Sequence, residues 1–281
     1  MKIFEGITPL AERYDGFVVD LWGVVHDGVQ AYPGVTDALA QLQAAGKRVV
    51  FLSNAPRRSW VVEELLARLG VPRSLYVDAV TSGEVAWEML RDRTDPWFAK
   101  LGRRAYHLGP ATDLSVIETL DLTLAERPDG ADFLLNTGPD PQLGPHALEP
   151  YDAVLRACAE KGLPMVCVNP DREVVVGGRI LLCAGAFADR YRLLGVTDIF
   201  EVGKPDPTVY GPVLRRLAVP KEKVLAVGDG PRTDLAGAKA AGLDCVWVLN
   251  GLSAALAPDQ LDTIAAAEKV FPLAALRAFR P

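Results

Sequence analysis

Three apolar runs punctuate the chain, and each ends abruptly in a polar group. Phe17-Val18-Val19 runs into Asp20, Val49-Val50-Phe51-Leu52 into Ser53-Asn54, and Val224-Leu225-Ala226-Val227 into Gly228-Asp229-Gly230. Short apolar runs bounded in this way predict strands buried on both faces. After the Pro33-Gly34 turn, Val35, Leu39 and Leu42 recur at helical spacing, and Gly46 stops that helix with Lys47 and Arg48 at its negative end. Ser59 reads as the N-cap of a helix carrying Val62, Leu65, Leu66 and Leu69, closed by Gly70-Val71-Pro72. Strand, helix, strand, helix at these lengths predicts a parallel α/β sheet.

The middle of the chain repeats the alternation with shorter apolar segments, Ala105–Leu108, Phe133–Leu135 and Met165–Val168. Ser82 reads as the cap of a helix reaching Asp92, and further helices are expected near 112–120 and 147–161, the latter stopped by Gly162. The proline-rich stretch 136–145 predicts a loop, because each proline removes a backbone donor. From about 181 the first texture returns. It brings a helix over 185–194, the loop Gly203-Lys204-Pro205 before a helix over 207–218, and a helix from Arg232 or Thr233 rich in small residues. Cys245–Leu249 reads as a last strand. We read residues 83–180 as a smaller α/β unit inserted between 1–82 and 181–281. Periodicity alone equally allows one continuous sheet.

Composition narrows the function classes. Of 281 residues, 49% are apolar and 23% charged, the balance of a soluble globular protein. A net charge of −6 without any Lys/Arg block argues against a nucleic-acid partner. No apolar run approaches the roughly 18 residues of a membrane span. The first residues lack a secretory leader, so a cytoplasmic location is expected. Cys158, Cys167, Cys183 and Cys245 are scattered, which predicts free thiols rather than a disulfide framework or zinc site.

In an open parallel sheet, ligands bind beyond the carboxyl ends of the strands. Those ends offer Asp20, Ser53-Asn54 and Asp229, with Asp234 five residues farther on and Lys204 arriving on its own loop. Carboxylates brought together need a counter-charge, and hard oxygen ligands favour Mg²⁺. A hydroxyl, an amide, an ammonium and free backbone N–H groups suit a phosphate. A carboxylate nucleophile with a metal and a cationic clamp describes phosphoryl transfer through an aspartyl-phosphate.

These residues carry a resemblance. Asp20-Leu21-Trp22-Gly23-Val24, Phe51-Leu52-Ser53-Asn54, Gly203-Lys204-Pro205 and Gly228-Asp229-Gly230-Pro231-Arg232-Thr233-Asp234 resemble the four ordered motifs of the haloacid dehalogenase superfamily. Tyr32-Pro33-Gly34, Val168-Asn169-Pro170-Asp171 and the size of the insert resemble its class IIA branch, which includes nitrophenyl-phosphatase-like and sugar-phosphatase-like members. The resemblance implies a Rossmann-like doubly wound core with an α/β cap, and a Mg²⁺-dependent hydrolase of a small phosphorylated metabolite. It implies Asp20 as nucleophile and metal ligand, with the Trp22 backbone carbonyl, Asp229 and Asp234 completing or supporting the metal site. Ser53 and Lys204 would bind the phosphoryl group, Asn54 would shape the adjacent loop, and a cap-mediated homodimer fits the branch.

Trp22 departs from the pattern. Phosphatases of this superfamily usually carry a second aspartate there, acting as general acid and then base. An indole donates one N–H but cannot shuttle a proton. Three readings stand open: slow turnover or a phosphate-binding protein without turnover; a substitute acid such as His26, Asp27 or a cap residue; or carbon–halogen chemistry, as in dehalogenases that lack that aspartate. His26 and Asp27 follow in what reads as an exposed flap, where a solvated loop pair competes with an acid–base role. Asn169-Pro170-Asp171 reads either as turn chemistry or as a segment facing the site.

Overall fold

The computed structural model describes residues 1–281. Seven parallel strands form the larger sheet, in the order Ile3–Phe4, Ala275–Leu276, Asp244–Val248, Val224–Gly228, Gly16–Val19, Arg48–Ser53 and Asp78–Thr81. Side chains alternate between two buried faces. Phe17, Val19, Val49 and Phe51 pack with the helices Val35–Ala44 and Ser59–Arg68, through Leu39, Leu42, Val62 and Leu66. Val18, Val50, Leu52 and Ala226 pack the other way, with the helices Ser82–Asp92 and Tyr210–Leu217. Burial on both faces explains why these strands read as unbroken apolar runs. Gly16–Val19 lies between Val224–Gly228 and Arg48–Ser53. The chain therefore leaves this central strand to one side and returns on the other, the topological switch point where a doubly wound sheet opens a crevice.

A second parallel sheet runs Ile199–Glu201, Met165–Cys167, Phe133–Asn136, Arg104–Leu108 and Thr123–Leu124. The boundary expected at 180 therefore falls inside this second unit. The helix Ala184–Leu193 buries Phe187, Ala188 and Tyr191 against Leu134 and Met165, and the strand Ile199–Glu201 pairs with Met165–Cys167. Both units have the same buried parallel-sheet texture, so apolar pattern could not show to which sheet these elements belong.

Two expected caps are also replaced. Thr81, not Ser82, accepts the Glu84 N–H, while the Ser82 hydroxyl donates to Asn54. The Ser59 hydroxyl is buried without a partner, and the Glu84 carboxylate instead accepts the Ser59 N–H at 3.0 Å. The helix expected near 112–120 is a 3₁₀ segment, Ala111–Ile117, and that expected over 147–161 becomes an α-helix only at Asp152–Glu160.

A hairpin, Glu173–Val176 paired antiparallel with Arg179–Leu182, projects from the second unit over the mouth of the first. Gly177 and Gly178 make its turn with φ of 53° and 78°, values that favour glycine over any residue with a side chain. The Gly177 N–H donates to the Asp27 carbonyl at 3.2 Å, so the hairpin touches the loop that follows Asp20. No helix is long and apolar enough to cross a membrane.

Candidate active site

Three neighbouring strands deliver the polar groups. Asp20 follows Val19, Ser53 ends the strand on one side, and Asp229 follows Gly228 on the other. All are buried, with Asn54, Lys204 and Asp234. Carboxylate oxygens of Asp20, Asp229 and Asp234 lie within 4.8 Å of one another.

Lys204 ties this trio together. Its ammonium donates to Asp20 Oδ1 at 2.6 Å, Asp234 Oδ1 at 2.7 Å and the Leu52 carbonyl at 3.1 Å, which uses all three of its protons. Asn54 holds the lysine backbone: its Oδ1 accepts the Lys204 N–H at 2.8 Å and its Nδ2 donates to the Lys204 carbonyl at 3.1 Å. Asn54 Nδ2 also donates to Asp171 Oδ1 at 2.9 Å. Its amide thus joins the nucleophile crevice to the segment that enters the hairpin.

The electrostatics are unbalanced. Three carboxyl groups face one ammonium, and burial, reinforced by Asp234, raises the Asp20 carboxyl to about 8 against the pull of Lys204. Burial, then Asp20 and Asp234, raise Asp229 well above the usual carboxylate range. Burial opposes the Lys204 charge, but Asp20, Asp234 and Asp171 outweigh it and keep the ammonium protonated. A divalent cation would supply the counter-charge that three carboxylates need.

Asp20 Oδ2 and Asp229 Oδ1 have no protein partner, and the Trp22 carbonyl accepts no hydrogen bond. Asp234 differs, since its Oδ1 accepts from Lys204 and its Oδ2 from the Gly230 N–H at 3.1 Å. Asp234 is therefore better placed to hold Lys204 and the turn than to be a full ligand. Close backbone approach shapes the Asp229 side: a Cβ on Gly23 or Gly251 would meet Asp229 Oδ2 at 2.0 or 2.1 Å. Hard oxygens, an excess of negative charge and space bounded by glycine suit a divalent cation.

Ser53 Oγ accepts the Ala55 N–H at 3.2 Å, which leaves its proton free to donate. Two clefts open here. One, of about 40 Å³, is lined by Asp20, Trp22, Asp171, Glu173, Lys204 and Asp229. A larger one, of about 330 Å³ between the units, is walled by Trp22, Arg57, Thr137, Asp171, several prolines and the hairpin's Val174 and Val176. The larger volume fits a small metabolite.

The expected acid–base substitutes after Asp20 do not face this space. His26 is fully buried, with its ring 4.8 Å from the Trp22 ring, edge to face. His26 Nδ1 accepts the Gly28 N–H at 3.0 Å, and burial lowers its pKa to about 4. Neither cleft is lined by His26 or Asp27. The Asp27 carboxylate caps a turn, accepting the Val29 and Gln30 N–H groups at 2.9 and 2.8 Å. The flap reading failed for His26 because the Trp22 indole packs against its ring, while the hairpin meets the next residue, Asp27.

Sequence reasoning missed the support beneath Asp229. The Asp229 carbonyl accepts Trp247 Nε1 at 3.0 Å and Ser253 Oγ at 2.9 Å. Trp247 at the end of an otherwise aliphatic strand was the available signal, since a buried indole N–H needs an acceptor.

Comparison with known proteins identifies the family. A haloacid dehalogenase-like hydrolase model matches residues 17–123, and a HAD-like hydrolase model matches 201–272. A haloacid dehalogenase-like hydrolase from Brucella suis is 31% identical and superposes with a TM-score of 0.85, covering 98% of this chain and 99% of its own. The chain belongs to the haloacid dehalogenase-like hydrolase family, in its class IIA branch. Membership makes it a hydrolase with the family's parallel-sheet core. The ribonucleotide monophosphatase NagD of Escherichia coli is 25% identical over 244 residues, 84% of this chain and 88% of that one. The glycerol phosphate phosphatase of Mycobacterium tuberculosis, solved with calcium, is 26% identical with a TM-score of 0.64, over 86% of this chain and 68% of that one.

Proposed function

We propose that the protein is a Mg²⁺-dependent phosphatase of a small phosphorylated metabolite. One observation carries the reading: a carboxylate with a free oxygen, Asp20, lies beside a fully engaged lysine, a donor hydroxyl and two further buried carboxylates. The phosphatase names of family relatives support the same class of substrate.

In this reading Asp20 Oδ2 attacks phosphorus and forms an aspartyl-phosphate, which water then hydrolyses. Lys204 neutralises the phosphoryl oxygens, and the Ser53 hydroxyl donates to one of them. Asn54 fixes Lys204 through both of its backbone groups, and Asp234 holds the ammonium from the far side. Asp20, Asp229 and the Trp22 carbonyl would hold Mg²⁺, which when bound offsets the charge of the carboxylates and phosphate. Carbon–halogen chemistry would leave the free Asp229 Oδ1 without a task.

The test is phosphate release from a panel of sugar, nucleoside and glycerol phosphates, with Mg²⁺ or with chelator, for wild type and Asp20→Asn. Release that needs Mg²⁺ and disappears in Asp20→Asn is expected. An Asp20→Asn variant as active as wild type overturns the mechanism. Ligand-induced thermal stabilisation without any release would favour a binding protein that has lost turnover, the reading that Trp22 motivates.

A further inference from the structure

The two clefts share a wall. Trp22, Asp171 and Val174 line both the cleft over Asp20 and the larger one between the units. Under the phosphatase reading, the phosphoryl group sits beside Asp20 and the rest of the substrate fills the larger space. The ester oxygen joining them then lies at the shared wall. Of the three side chains there, valine carries no exchangeable proton, and an indole can donate one but cannot release and recover it.

We propose that Asp171 is the general acid that protonates the leaving-group oxygen and then the general base that activates water. It would perform the task that Trp22 cannot. In the first step Asp20 Oδ2 bonds to phosphorus and the bond from phosphorus to the ester oxygen breaks. The electron pair stays on that oxygen, which takes the Asp171 proton and leaves as the alcohol. In the second, the Asp171 carboxylate removes a proton from water as the water oxygen bonds to phosphorus. The bond to Asp20 breaks, and phosphate, the Asp20 carboxylate and protonated Asp171 result.

The local structure prepares the group for this. Asn54 Nδ2 donates to Asp171 Oδ1 at 2.9 Å, and the Asp171 N–H donates to Asn169 Oδ1 at 2.9 Å. The first contact fixes the side chain and the second its backbone, and Oδ2 has no protein partner. Burial raises the carboxyl to about 6, against the lowering effects of Lys204 and Asn54. A carboxyl in that range exchanges its proton near neutral pH, as acid–base catalysis requires. The other titratable neighbours fit less well. Glu173 lines the Asp20 cleft but not the larger one, and Asp113 is held by Arg57 Nε at 2.6 Å. The fixed contacts around Asn169-Pro170-Asp171 are therefore more than turn chemistry.

The experiment compares wild type, Asp171→Asn and Asp171→Glu on aryl phosphates of graded phenol acidity and on glycerol phosphate, with thermal melts of each protein. Asp171→Asn keeps the oxygen that accepts from Asn54 but cannot transfer a proton. We expect a loss of about 100-fold or more in kcat/KM on the alkyl ester, shrinking steadily as the phenol becomes more acidic. Asp171→Glu keeps a carboxyl and is expected to retain the shallow dependence on leaving group. If Asp171→Asn does not fold, the slope of Asp171→Glu decides alone, and a steep slope overturns the assignment. Equal loss on every ester would mean that Asp171 only positions Asn54 and would also overturn it, as would no loss. Wild-type protein releasing phosphate from no ester would overturn the phosphatase reading itself, and this assignment with it. Wild-type release with a flat Asp171→Asn response overturns the assignment alone.

Discussion

The Lys204 ammonium lies 2.6 Å from Asp20 Oδ1 with both side chains almost wholly withdrawn from solvent. It also spans to Asp234 at 2.7 Å, so one cation holds two buried carboxyls. Removing one partner of a buried pair leaves uncompensated charge, which typically costs about 3–5 kcal/mol. Lys204→Met is therefore expected to lose about 3 kcal/mol in urea unfolding of the metal-free protein. Phosphate release should fall by about 10²- to 10³-fold, the cost of removing one donor from a developing oxyanion. A variant retaining near-normal turnover would show that Lys204 serves the fold only.

Metal binding should depend on pH through Asp20. Its carboxyl is raised from 3.8 to about 8, so the metal-free native state keeps a proton that the unfolded chain has lost. The sign follows from linkage: this group favours the native state at low pH, and the contribution disappears as pH rises through about 8. A cation binding there must displace that proton, so its apparent affinity rises over the same window. The Mg²⁺-induced increase in Tm should be larger at about pH 8.5 than at about pH 6. Equal shifts at both values would mean that Asp20 is already ionised without metal.

How much of this was readable follows from what each signal depends on. Asp20, Ser53 and Asp229 stood at the ends of strands buried on both faces, and an unbroken apolar run announces such a strand. Their adjacency came from the order of the strands, which the alternation of helix and strand constrains. The hairpin of Glu173–Val176 and Arg179–Leu182 is also signalled, by Gly177-Gly178 between two apolar runs. His26 was not readable in the same way. The loop that carries it packs under the Trp22 ring and meets, at Asp27, a hairpin some 150 residues later in the chain. The boundary at 180 failed for a related reason, because Ile199–Glu201 joins the second sheet by long-range pairing that no local pattern records.

Trp22 separates fold from activity, and its packing makes the separation testable. A Cβ on Gly28 would meet the indole at 2.4 Å, so the ring lies directly on that glycine as well as beside His26. Trp22→Asp should therefore lower stability, by about 2–3 kcal/mol for a partly buried ring. It also places a carboxyl at the wall shared by the two clefts. In an Asp171→Asn background, Trp22→Asp is expected to restore about tenfold or more of the rate on an alkyl phosphate, measured as kcat/KM beside a thermal melt. No recovery in a folded double variant would mean that position 22 does not reach the ester oxygen.

His26 predicts how the fold responds to acid. The ring is fully buried, Nε2 has no partner, and burial lowers the pKa from 6.5 to about 4. As pH falls, the unfolded chain takes up the proton first, near 6.5, while native His26 stays neutral down to about 4. Stability from this group is thus present above pH 6.5 and is lost progressively toward pH 4, by about 3 kcal/mol in all. His26→Asn can present its amide oxygen to the Gly28 N–H in place of Nδ1, but it has no titrating group. Urea unfolding of both proteins isolates the term, because every other titrating group is common to the pair. The advantage of wild type over His26→Asn should shrink by about 2 kcal/mol between about pH 7.5 and about pH 4.5. Parallel stability curves would mean that the ring is protonated in the native state and that the loop opens to admit water around it.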